Sequence, residues 1–174
     1  MVGEGRGGLP SIRRISNEDQ SDNSSSRRCP IERLATLIPR MNDEQASAEV
    51  VDGVLKKLVD RLQSRDVAQI MNLFTKDALL FGSEAGEVAQ GTEELQAFFT
   101  TIFEQRTKIS WTWDSLFTRK IGESIWFVGP AMLHLNDGSG HDVDYPYRLS
   151  GVLLRGTTEP WVFTMFNGSE PASH

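Results

Sequence analysis

Residues 77–104 read DALLFGSEAGEVAQGTEELQAFFTTIFE, and the order of features in this stretch decides the fold. Asp77-Ala-Leu-Leu-Phe81 is a short apolar run of strand character, Gly82 to Gly86 supplies a turn, and Glu87 to Gln90 forms a short returning strand. After Gly91, the residues Leu95, Phe98, Phe99, Ile102 and Phe103 recur at three- and four-residue spacing. That spacing is the buried stripe of an amphipathic helix. Thr92 is its expected N-cap, and Glu93 and Glu94 sit in the first turn, where the helix dipole favours negative charge.

Working outward from there, Val50, Val51, Val54, Leu55, Leu58, Val59 and Leu62 predict an earlier amphipathic helix. Asn42 and Gln45 are placed as a capping box at its start. Asp66 with Gln69 is expected to cap a second, short helix reaching Phe74. Downstream come four strand segments with no helix between them: Lys108–Thr118, Ser124–Leu135, Val143–Arg155 and Trp161–Asn167. Asn136-Asp-Gly138 is a turn signal, and Gly129-Pro130 predicts a break because proline cannot donate to a ladder. Helices first and a meander afterwards give an α+β fold, with the N-terminal helices packed on a strongly curved, mostly antiparallel sheet. A cavity between the two layers is expected.

The domain is expected over residues 42–171, with residues 1–41 as a disordered tail and linker. Residues 1–29 are rich in Gly, Ser, Arg, Asn and Asp, and such a composition does not bury enough apolar surface to offset its ordering entropy. Arg13-Arg-Ile-Ser16 and Arg27-Arg28 have the form of kinase or targeting signals. An organelle transit segment is the other reading of this Arg- and Ser-rich tail, and its acids count against it. Ile31, Leu34, Leu37 and Ile38 predict one docking turn or a short linker helix before Pro39.

Charge is unevenly placed. Residues 1–40 carry seven Arg and five acids, and the remainder carries eleven basic and nineteen acidic residues, a net −8. An acidic folded part argues against a nucleic-acid surface, since phosphate binding needs clustered Lys and Arg, so no nucleic-acid partner is expected. The chain has one cysteine, Cys29, so no internal disulfide forms. No apolar run reaches the length of a membrane span, and the N-terminus has no secretory core segment. A cytoplasmic protein without membrane association is expected.

Several residues have side chains suited to a site. Trp111 and Trp113 share a face of one predicted strand, Trp126 lies on the next, and Tyr145 and Tyr147 on the third. Such aromatics line a pocket for a flat apolar molecule, or else form core or dimer interface. Arg148 sits among apolar neighbours and needs a carboxylate, a carbonyl or a ligand oxygen. Its alternatives are a structural pair with Asp114, Asp142 or Asp144, or a solvated face. His134 is the one histidine inside a strand, with a pKa suited to general base work or a role as a satisfied polar group. Asp114 is the best-placed acid, but its parity is opposite to that of Trp111 and Trp113. His141, Asp142 and Asp144 alternate in direction and lack further ligands at diagnostic spacing, so no metal is expected. No phosphate loop, nucleotide fingerprint or nucleophile elbow is present, no cofactor is expected, and no residue is assigned a catalytic role.

The ordered set Asp77-Ala-Leu-Leu-Phe81, Gly91-Thr-Glu-Glu-Leu95, Tyr147-Arg-Leu-Ser-Gly-Val-Leu153 and Trp161-Val-Phe-Thr-Met-Phe-Asn-Gly-Ser169 resembles the nuclear transport factor 2-like superfamily. Within it the chain is similar to SnoaL-like domains. The resemblance implies a conical pocket and frequent dimerisation through the outer face of the sheet. Relatives include ketosteroid isomerases, polyketide cyclases, epoxide hydrolases, dehydratases and a kinase association domain, so the fold does not choose a reaction. Asn167 stands where many relatives carry a histidine, and an amide hydrogen-bonds a carbonyl but does not act as a general base. The expected pocket set is Trp111, Trp113, Trp126, His134, Tyr147, Arg148 and Asn167, holding a small apolar or carbonyl-containing ligand for an isomerase or cyclase. The alternative is a non-catalytic, homodimeric binding or assembly module.

Overall fold

The computed structural model describes residues 30–84, 86–139 and 142–171, with side chains described from residue 43 onward. The expectations for residues 1–29, for His141 and for the side chains of Ile31, Leu34, Leu37 and Ile38 lie outside the described residues.

Helix α1 spans Pro30–Ser64. It takes in residues 30–41, which the sequence suggested as linker, and Asn42 therefore lies inside the helix and does not cap its start. Along α1 the predicted stripe is buried: Val51, Val54, Leu55, Leu58 and Leu62 all face the core. The helix stops at Arg65, whose φ of 54° is left-handed. Helix α2 follows at Val67–Met71, with the Asp66 carboxylate accepting from the Gln69 amide at 3.0 Å, as its N-cap spacing predicts.

Strand β1 (Phe74–Phe81) pairs antiparallel with β2 (Val88–Gln90) across the Gly82–Glu87 turn. Helix α3 (Gly91–Glu104) then buries Leu95 and Phe99. Its N-cap is Gln90 and not Thr92. The Glu94 carboxylate accepts from the Gln90 amide at 2.8 Å, while the Thr92 hydroxyl donates to the Lys76 carbonyl. A glycine at 91 permits the φ of 77° that turns β2 directly into the helix.

The remaining strands are β3 (Lys108–Thr112), β4 (Phe117–Ile121), β5 (Ser124–Asn136), β6 (Asp142–Arg155) and β7 (Trp161–Ser169). The sheet order is β2-β1-β7-β6-β5-β3, with β4 also paired to β5. All pairings are antiparallel except β1 with β7. The single strand expected over Lys108–Thr118 is thus two strands. The break expected at Gly129-Pro130 falls instead on the neighbouring segment. Strand β5 runs through both residues, and the partner chain leaves between Thr112↔Met132 and Phe117↔Val128. Pro130 faces this gap in the β3/β4 edge, where there is no ladder for its missing N–H to interrupt. Gly129 lets the departing segment approach closely: a Cβ there would lie 2.8 Å from the Leu116 side chain.

The curved sheet remains open and wraps its inner face around α1 and α3. Paired residues share a face, so the register sorts the strands. Leu133 with Tyr145, Ala131 with Tyr147, and Leu149 with Gly168 point inward. The core joins α1 and α3 to Phe74, Leu149, Leu153, Phe163 and Phe166. No helix among the described residues is long and apolar enough to cross a membrane.

Candidate functional site

A cavity of about 320 Å³ opens between the helices and the inner face of the sheet. Helix α1 contributes Leu58 and Leu62, and α3 contributes Phe98, Phe99 and Ile102. Opposite them stand Trp111 of β3, Leu133 and Leu135 of β5, Tyr147 of β6 and Phe166 of β7. This is the apolar body of a small-molecule site. Its polar lining combines Gln105 and Thr107, beyond α3, with three acids. The β1–β2 turn supplies Ser83, Glu84 and Glu87, and the end of β7 supplies Glu170.

Tyr147 is the inward-facing polar side chain of β6, and it is only 5% exposed. Burial raises the pKa of its phenol, because the phenolate loses solvation. Ser83 stands within hydrogen-bonding reach and pulls the other way, while the charges of Glu87 and Glu170 add to the rise. The phenol is therefore protonated at neutral pH and available as a donor. Trp111 stacks beside it, with centroids 6.3 Å apart and planes at 28°, and Phe166 lies 5.9 Å from the indole. The indole N–H of Trp111 is buried without a hydrogen-bond partner.

The acidic turn is held by its own hydrogen bonds. The Gly82 amide donates to the Glu87 carbonyl at 2.8 Å, and the Glu84 amide donates to the Glu87 carboxylate at 3.0 Å. Glu87 is thus fixed, whereas the exposed Glu84 and Glu170 project to solvent at the cavity.

Of the seven residues proposed from sequence, the structure brings Trp111 and Tyr147 together in the cavity wall. The other five lie elsewhere. Trp113 follows the end of β3 and turns to α1, where its indole donates to the Asp52 carboxylate at 3.2 Å. Trp126 is on the outer face of the sheet, 49% exposed, in a shallow apolar groove with Phe117, Val128 and Met165. His134 is also on the outer face, bonded to Asp144 through Nδ1 at 2.7 Å and to the Thr112 hydroxyl through Nε2 at 2.8 Å. Arg148 is exposed and in register with Pro130 and Ser169, while Asn167 donates to the Ser150 hydroxyl at 3.1 Å. Alternation explains both corrections: with Tyr147 and Gly168 facing inward, Arg148 and Asn167 must face outward.

Asp114 is exposed and does not line the cavity. Asp142 accepts from Asn136, and Asp144 pairs with His134. Among the described residues no three His, Cys, Asp or Glu side chains are grouped closely enough to hold a metal ion. Ser83, Glu84, Glu87 and Glu170 were missed because loop residues carry no periodic signal that assigns them to a face.

The model of the SnoaL-like domain family matches residues 51–173, and the chain belongs to that family. No curated protein sequence matches. Among solved structures, a protein of Novosphingobium aromaticivorans provisionally assigned as an aromatic ring hydroxylase is 15% identical, with a TM-score of 0.62 over 84% of this chain and 94% of that one. A calcium/calmodulin-dependent protein kinase II association domain, so assigned provisionally, from Xanthomonas campestris is 17% identical, with a TM-score of 0.60 over 71% of this chain and 87% of that one. A ketosteroid isomerase-like protein of Erwinia carotovora atroseptica is 15% identical, with a TM-score of 0.57 over 72% and 97%. At these identities the likeness is one of fold.

Proposed function

We propose that this SnoaL-like domain binds a small apolar molecule in the cavity between its helices and sheet, with Tyr147 hydrogen-bonding a carbonyl or hydroxyl oxygen of the ligand. The observation that carries this reading is a buried phenol at the wall of a cavity of about 320 Å³ with an apolar body and carboxylates at its edge. A phenol donor beside carboxylates is the equipment of proton transfer next to a carbonyl, with the phenol polarising the oxygen and Glu87 or Glu170 moving the proton. An isomerase or cyclase reaction on a carbonyl compound fits that pairing. The ketosteroid isomerase-like neighbour shares the frame on which it would be built.

The test is a ligand screen of aromatic and alicyclic carbonyl compounds read by the indole N–H resonances, assigned by single Trp→Phe substitutions. Hits should shift the resonance of Trp111 and leave that of Trp126 in place. Hits that move Trp126 alone, or a screen that moves neither, would overturn the reading.

A second reading, a homodimeric binding or assembly module, rests on the outer face of the sheet. Phe117 is 76% exposed, and Val128 and Trp126 beside it are about half exposed. Apolar exposure of this kind calls for a partner surface. The two readings are compatible, because they use opposite faces of the sheet.

A further inference from the structure

We infer that the cavity selects its ligand by charge: it takes an apolar, aromatic body carrying a cationic amine, and it rejects the corresponding carboxylate. This rests on the small-molecule reading above and adds the charge class of the ligand to it.

The inference comes from what lines the cavity. Three carboxylates, those of Glu84, Glu87 and Glu170, border it, and among the described residues no Lys, Arg or His does. None of the three is in an ion pair with a cation among the described residues. Arg65, which bonds the chain at the Gln105 and Thr107 side of the cavity, commits its guanidinium to the carbonyls of Phe103, Gln105, Arg106 and Thr107. The acids are not a metal cluster, since no three such side chains converge among the described residues. They come from the β1–β2 turn and the adjoining end of β7, at the solvent-facing side of an apolar space, and give that side a negative potential.

The aromatic walls act in the same direction. The Trp111 and Tyr147 rings stack at 6.3 Å, with Phe166 5.9 Å from the indole. Their faces are electron-rich, and they attract an ammonium group while giving nothing to a carboxylate. An anion entering here would exchange hydration for a lining that, among the described residues, offers three carboxylates and no cation. Burial is the main cause of the raised pKa of Tyr147, and the charges of Glu87 and Glu170 add smaller increments in the same direction.

A matched series tests this: 2-naphthylmethylamine, 2-naphthylmethanol and 2-naphthoate, each titrated into the full chain by calorimetry, with Trp111 indole shifts locating the site. The amine should bind at least ten-fold more tightly than the carboxylate, with the alcohol between them. Raising the salt from about 20 mM to about 500 mM should shrink that ratio several-fold, because solvent-exposed charges are screened. Glu84→Gln with Glu170→Gln, both at exposed positions, should reduce it as well. Equal binding of all three compounds would leave the cavity as a ligand site and overturn the charge selection. An amine preference that persists unchanged in the double variant and in high salt would also overturn it. Failure of every member to shift Trp111 would overturn the cavity reading itself, and this inference with it.

Discussion

Gly168 of β7 lies directly under the phenol of Tyr147. A Cβ at position 168 would stand 2.6 Å from the Tyr147 hydroxyl oxygen and 2.7 Å from its ring carbon Cε1. The close approach fixes the inward pose of the phenol at the cavity wall.

Gly168→Ala is therefore expected to displace Tyr147 or the strand. The cost should be about 1–3 kcal/mol, the usual range for overpacking a well-filled site. The same substitution in a Tyr147→Leu background should cost much less, because the clashing ring is gone. Chemical denaturation of the four proteins in this double-mutant cycle measures the coupling. Additive costs would show that Gly168 is needed for another reason.

Most of the fold was legible in the sequence because it rests on periodicity. The stripes of α1 and α3 and the alternation in β5, β6 and β7 declare both element type and buried face. The site was less legible for two reasons. First, strand ends decide orientation: Trp111 and Trp113 have the same parity, but β3 ends at Thr112 and releases Trp113 to Asp52. Second, adjacent residues were proposed for one pocket. Tyr147 and Arg148 cannot both face inward on one strand, and the pairing of Leu149 with Gly168 sends Tyr147 in and Arg148 out. The acidic residues come from a turn and a strand end, where only three-dimensional closure brings Glu87 and Glu170 toward the same phenol.

Glu159, in the β6–β7 connection, clamps that connection to α1. Its carboxylate accepts from Lys57 at 2.6 Å and from Arg61 at a still closer contact. Hydrogen bonds from Lys57 and then Arg61 lower its pKa below the ordinary glutamate value. A folded pKa below the unfolded one means that the contribution is fully present above about pH 4.3, the unfolded value. It is lost as the pH falls through the folded value. Glu159→Gln should therefore be less stable than the parent at pH 7, and the gap should close as the pH falls below about 4.3. Denaturation midpoints of both proteins across this range check the sign; a gap that widens in acid would contradict it.

Arg65 combines two effects that substitution can separate. Its backbone is left-handed at φ 54°, which costs a residue with a Cβ about 1 kcal/mol relative to glycine. Its guanidinium donates to four carbonyls after and within the last turn of α3, at 2.7–3.3 Å. Arg65→Ala should lose the donors and keep the strain. Arg65→Gly should lose the same donors and relieve the strain, so it should be more stable than the alanine variant by about 1 kcal/mol. Both should fall below the parent, because charge-assisted hydrogen bonds contribute about 1.5–3 kcal/mol each at best. Equal stabilities for Ala and Gly would remove the backbone argument.

The outer face of the sheet gives the last prediction. Phe117 pairs with Val128, and Arg119 with Trp126, so the four side chains lie on one face. Phe117 is 76% exposed, Val128 50% and Trp126 49%, and the groove among them reaches Met165 of β7; Ile121, at the end of β4, is 53% exposed. A symmetric dimer would place two copies of this face together, each supplying the cover the other lacks. Sedimentation at tens of micromolar should then give a species of twice 19.5 kDa. Val128→Lys should convert it to a monomer with an unchanged circular dichroism spectrum, because Val128 faces away from the core. The Trp111 indole shifts caused by cavity ligands should survive in that monomer, since the cavity lies on the opposite face. A parent protein that sediments as a monomer at these concentrations would reject the dimer and leave the outer face to a different partner.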